Sequence, residues 1–134
     1  FCYSGDYLTW VIDGLAGYVM RVNGKFCITC HRGILIPTEK CKNIDLDYIK
    51  YVIEPIFRKR IRGRIGINGK NEYTALKPTH IIKYNDKIPV PVDESGKFDI
   101  DKQRELAEKY IAIERTKKNL LNKVHELIDI SIEV

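Results

Sequence analysis

The sequence predicts an α+β chain, with a β-rich first part that holds one short helix and a long carboxy-terminal helix bearing a coiled-coil seam. Three observations predict it. The first 37 residues are dense in β-branched and aromatic side chains, the stretch NIDLDYIKYVIE changes to three- and four-residue apolar spacing, and from Asp99 a single helical pattern runs onward.

The elements follow in order. YLTWVI (7–12) reads as a strand, and GYVMRV and KFCITC flank Asn23-Gly24, a two-residue hairpin signal. Ile34 to Ile36 add a strand that Pro37 ends. Leu46, Ile49 and Ile53, with Tyr48 and Val52, define an amphipathic helix that Asn43 or Asp45 caps and Pro55 should end or kink. Ile56 and Phe57 then anchor a further turn. HIIKY and KIPVPV read as short extended pieces, the two prolines of the latter marking an edge or connector. In the last helix, capped by Asp99 or Asp101, Leu106, Tyr110, Ile113, Lys117, Leu120, Val124 and Leu127 alternate spacings of four and three. That is a coiled-coil seam with one polar position, Lys117, which would specify register. Two units result: 1–98 and the helical 99–134.

Charge is unevenly placed. Residues 1 to 57 carry six basic and six acidic side chains, residues 58 to 83 eight and one, and residues 84 to 134 nine and eleven. Arg58, Lys59, Arg60, Arg62 and Arg64 put five cations within seven residues, whose mutual repulsion an anionic partner would relieve. The tract continues through Gly63, Gly66 and Gly69 into Lys70, Asn71, Tyr73 and Thr74. Glycines allow close approach of backbone to phosphate, and Asn, Tyr and Thr can meet phosphates or base edges, so a nucleic acid is the expected partner. A phosphate-cradling P-loop would need glycine and Ser or Thr where Arg64 and Asn71 stand.

Catalytic and metal-binding patterns are not expected. CITC (27–30), beside His31, has half the spacing of a zinc site, but residues three apart on a strand point to opposite faces and no second pair completes it. Cys27 and Cys30 read as strand thiols, and the four cysteines lack the spacing of a secreted disulfide scaffold, which suits a reducing cytoplasm. His31, His80 and His125 share no evident partner, no serine sits in a nucleophile elbow, and no carboxylate cluster with a nearby lysine suggests a nuclease. No cofactor is expected. No apolar run approaches the roughly 20 residues of a membrane helix. Phe1 is not a start methionine and no signal peptide follows, so the chain reads as part of a longer one.

The order GDYLTWVIDGLAGYV, NGKFCIT, IDLDYIKYVIEPIF, GKNEYTALKP and IPVPVDESGKFDIDKQRELAEKY resembles the target-recognition domains of type I restriction-modification specificity subunits, including those fused to methylase-nuclease polypeptides. The resemblance spans nearly the whole chain, and its last two motifs are the most specific. It implies a non-catalytic component that reads one half of a bipartite duplex DNA site. It makes 1–98 a partial target-recognition domain, since the family's domain begins with further strands and a helix. It makes 99–134 the spacer helix that pairs antiparallel with a second repeat or, in a homodimer, a second copy. Methyltransferase subunits are the implied partners, with the restriction subunit a further candidate. Carried onto this sequence, it assigns the DNA-facing surface to Arg58–Lys70 and GKNEYT, with base readout extending to the loop from Thr9 to Gly17. The competing expectation, from the same charge and eight tyrosines, is a sequence-indifferent RNA or single-strand binder.

Overall fold

A computed structural model describes residues 2–65 and 71–132. The architecture is α+β, two small antiparallel sheets and a long carboxy-terminal helix. The first sheet has strand order β3-β1-β4, from β1 (Cys2–Val11), β3 (Val19–Cys27) and β4 (Arg32–Leu35). The second has order β2-β6-β5, from β2 (Asp13–Gly14), β5 (Arg62–Ile65) and β6 (Asn71–Ala75). Among the described residues three helices complete the fold: α1 (Leu46–Arg60), α2 (Pro78–Tyr84) and α3 (Ile100–Ile132).

The core forms where α1 lies on the first sheet. Leu8, Trp10 and Val19 from the strands meet Tyr48, Ile49 and Phe57 from the helix, with Ala16, Leu76 and Ala107 closing the sides. Trp10 organises it. Its ring meets Phe57 edge-on at 5.8 Å, and its indole N–H donates to Leu76 O at 2.9 Å. Arg21 braces the outside, donating to Asp6 of β1 and Asp47 of α1 and holding the Asp6 carboxyl below the usual carboxylate range.

Several expectations are corrected by long-range pairing. Asn23-Gly24 is not a turn. β3 runs straight through it, paired with β1 over nine residue pairs. Gly24 (φ 100°) lies opposite Gly5 (φ 137°), and the Tyr7 ring so closely covers Gly5 that an added Cβ would stand 3.1 Å from it. The stacked and edge-on rings of Tyr3, Tyr7 and Phe26 further fix the ribbon, so a two-residue local signal loses to the whole ladder. Cys27 is not a thiol either, because that register sets it opposite Cys2, and the two form a disulfide. Cys30 and Cys41 are exposed free thiols.

α1 does not stop at Pro55. The missing helical hydrogen bond costs about 3 kcal/mol, yet the helix continues because Phe57 is buried against Trp10 one turn on. HIIKY is helical, not extended: Pro78 starts α2, Lys77 N donates to His80 Nδ1 at 3.1 Å, and Asn85 closes the helix in the left-handed region. Seven residues are too few to display a helical period. KIPVPV forms no strand beyond a single bridge between Val92 and Phe98.

The expected caps do form. Asp45 Oδ1 accepts from Tyr48 N at 2.9 Å, and Asp99 Oδ1 from Lys102 N at 2.9 Å. The two helix starts are joined by Gln103, whose side chain is fully buried. Its Oε1 accepts from Asp45 N at 2.8 Å and its Nε2 donates to Asn43 O at 2.9 Å. One residue of α3 thereby completes the capping of α1. Gln103→Ala leaves both backbone groups unsatisfied and is expected to cost about 2 to 3 kcal/mol, read as a lowered urea midpoint with faster amide exchange in the first turn of α1.

Among the described residues no helix is long and apolar enough to cross a membrane.

Candidate nucleic-acid interface

The basic tract straddles the end of α1 and the start of the second sheet. Arg58, Lys59 and Arg60 form the last turn of α1, where cations complement the negative end of the helix dipole. After Ile61 the chain turns into β5, which carries Arg62 and Arg64. β6 runs antiparallel beside it, with Arg62 opposite Ala75, Gly63 opposite Thr74 and Arg64 opposite Tyr73. The side chains of Arg64, Asn71 and Tyr73, and the whole of Lys70, lie outside the described residues.

Three of the arginines are already engaged within the fold. The Arg58 guanidinium donates to Ala16 O and lies over the Tyr18 ring, 4.2 Å from its centroid. Arg60 makes a two-pronged contact with Asp86, at 3.0 and 2.8 Å, and covers the Tyr84 ring at 4.5 Å. Arg62 donates to the Tyr84 hydroxyl through Nε and Nη2, at 3.2 and 2.9 Å. Tyr84 therefore gathers two guanidiniums, those of Arg60 and Arg62, which stay exposed, while Arg58 is half-buried.

The Arg60–Asp86 pair sets the charge actually displayed. The guanidinium holds the Asp86 carboxyl below its ordinary range, mainly through the hydrogen bonds, so Asp86 stays anionic near neutrality and offsets one cation of the strip. The contribution of this pair is present above the unfolded carboxyl pKa and is lost as pH falls through the depressed folded one. Both groups are exposed, so its effect on stability is small. Asp86→Asn releases Arg60. Fluorescence anisotropy against duplex is then expected to show affinity raised severalfold at low salt, with a log-log salt slope steeper by about 0.9.

Thr74 is removed from the set of base-contacting candidates. It is 1% exposed, between Gly14 and Gly63 in the sheet, and its hydroxyl donates to Gly14 O at 2.5 Å and accepts from Ala16 N at 3.2 Å. It fixes a turn and cannot meet a base. His31 Nδ1 lies 2.9 Å from Asp13 Oδ2 on the far edge of the same sheet, and His80 is taken by the α2 cap. Among the described residues no group of three His, Cys, Asp or Glu side chains is placed to share a metal ion. Tyr18, Tyr84 and Asp86 were missed from sequence, since nothing local ties them to arginines 22 to 40 positions away. The only available signal was their polar or aromatic character at or beside element ends.

The seam of α3 is split. Leu106 packs on the body's own core beside buried Ala107, which withdraws it from any partner interface. Tyr110 stacks on Tyr51 of α1 at 5.6 Å, and the Tyr51 hydroxyl donates to Glu114 at 3.1 Å, which braces the root of the helix. Further out, Ile113, Leu120, Val124 and Leu127 are exposed, Leu127 to 66%, with exposed Lys117 among them.

Fold and surface together define an α+β chain with a basic tract running from the last turn of α1 into β5 and a braced helical arm carrying an open apolar stripe. No family model matches the chain, and no curated protein or solved structure matches it.

Proposed function

We propose that this chain is a non-catalytic DNA-recognition module that reads half of a bipartite duplex site, the specificity component of a type I restriction-modification system. The observation that carries the reading is the arginine strip. Arg60 and Arg62 are gathered around Tyr84, with Asp86 on Arg60, and Arg58 is held by Ala16 O and the Tyr18 ring, so the guanidiniums are pre-positioned for phosphate, while β6 beside Arg62 carries Asn71 and Tyr73. Phosphate contacts give affinity and salt dependence, and base contacts give sequence preference.

The α3 arm supports the second half of the proposal. From Ile113 to Leu127 its stripe has the spacing of a helix that pairs with another, either a second repeat or a second copy, and such pairing would set the distance between half-sites. Methyltransferase subunits, and with them the restriction subunit, would dock on this assembly. Lys117 would specify register.

Selection from a randomised duplex pool tests the reading, and enrichment of one short half-site is the expected result. Tighter binding of single-stranded RNA than of any duplex would replace it with a sequence-indifferent single-strand binder, and magnesium-dependent cleavage by the chain alone would contradict its non-catalytic role.

A further inference from the structure

The turn from Gly14 to Tyr18 is tied down more heavily than a short surface connection requires. Gly14 and Gly17 both adopt positive φ, 82° and 86°. Thr74 clamps Gly14 O and Ala16 N with one hydroxyl, Gly17 N donates to Val11 O at 2.9 Å, Arg58 donates to Ala16 O, and Val11 N donates to Tyr18 O at 3.0 Å. Ala16 is fully buried, and a Cβ at Gly17 would stand 3.1 Å from the backbone of Phe57. The turn is thus locked to β6, to β1 and to the end of α1 at once.

Leu15 projects from this turn and is 61% exposed. On a loose loop an apolar side chain can fold back onto the surface, but here the residues on both sides are fixed and Leu15 cannot retreat. Its surroundings are those of the arginine strip. Arg58 holds the turn from one side, over the half-exposed Tyr18 ring. Gly14 pairs with Thr74, so the chain after Gly14 heads along β6 toward the position of Tyr73, which pairs with Arg64 of β5.

We propose that Leu15 is a base-reading residue that makes apolar contact with a thymine 5-methyl group in the major groove of the bound duplex. The inference deepens the DNA-recognition reading and rests on it. A methyl group is the one apolar feature the major groove offers, and it marks thymine alone among the four bases. A rigidly presented leucine beside phosphate-binding arginines meets it without the ordering cost a mobile loop would incur. Arg58 has a double part: it neutralises phosphate and holds the turn that aims Leu15.

The test uses the half-site enriched by selection, with each thymine replaced in turn by uracil, which deletes only the methyl group. Wild-type chain is expected to lose roughly three- to tenfold in affinity at one thymine. Leu15→Ala should bind the thymine duplex with that same loss and be indifferent to uracil there, a coupling that a merely structural role for Leu15 would not produce. Leu15→Met, which keeps an apolar contact, should retain most of the discrimination. Equal sensitivity to uracil in wild type and Leu15→Ala overturns the assignment while leaving duplex recognition intact, as does an enriched half-site with no A·T pair. Unstacking of a neighbouring 2-aminopurine by wild type but not by Leu15→Ala would overturn it in favour of a wedge between base steps. Retention of no duplex at low salt removes the DNA reading, and the assignment falls with it.

Discussion

Joint replacement of Arg60, Arg62 and Arg64 by alanine is expected to weaken binding to every duplex alike. Each phosphate contact contributes about −0.9 to the slope of log affinity against log salt. Arg60 spends part of its charge on Asp86, so two to three contacts disappear and the slope should flatten by about 1.8 to 2.7. Near 0.1 M salt this corresponds to a loss on the order of a hundredfold. The loss should be the same for the selected half-site and for unrelated sequence, because phosphates carry no base identity. Titrations of both duplexes across a salt series provide the check. A slope that stays at the wild-type value would show that the strip does not face the backbone, and a loss confined to one sequence would move these arginines to base readout.

Trp10→Ala is expected to be the most damaging substitution for the fold. The indole is nearly fully buried between Phe57, Gly33 and Leu76, and the change removes a large apolar volume together with the hydrogen bond to Leu76 O. Substitutions of this kind cost about 3 to 5 kcal/mol, a large share of the 5 to 15 kcal/mol typical of whole domains. Far-ultraviolet circular dichroism in urea should show the midpoint fall sharply or the native baseline vanish. Gly33→Ala probes the same packing from the other side. A Cβ there would stand 2.2 Å from the indole ring, so either strand or ring must move, and comparable destabilisation is expected. If Gly33→Ala were harmless, the ring could not be seated against β4 as described.

The two substitutions also separate fold from surface. The arginine variant should keep the wild-type urea midpoint, apart from the loss of an exposed pair worth little, and lose affinity. Trp10→Ala should lose both together.

What the sequence determined by itself lies in patterns of short, fixed spacing. The apolar period of α1 and α3 and the caps at Asp45 and Asp99 were legible because a helix and its cap are set by residues three or four apart. The concentration of charge at Arg58 to Arg64 was legible for the same reason, being adjacent in the chain. The tertiary structure alone decided what those local features do. Thr74 became a buried clamp because β6 pairs with a strand 60 positions earlier. Asn23-Gly24 stayed extended because β1 offered a full ladder, which also brought Cys2 to Cys27. Arg60 lost part of its charge to Asp86, 26 residues on, and Leu106 was drawn into the core while Ile113 and Leu127 were left on the surface. Each outcome turns on contacts between segments far apart in the chain. Their energies come from burial and hydrogen bonding at one place in space, which a local pattern does not encode.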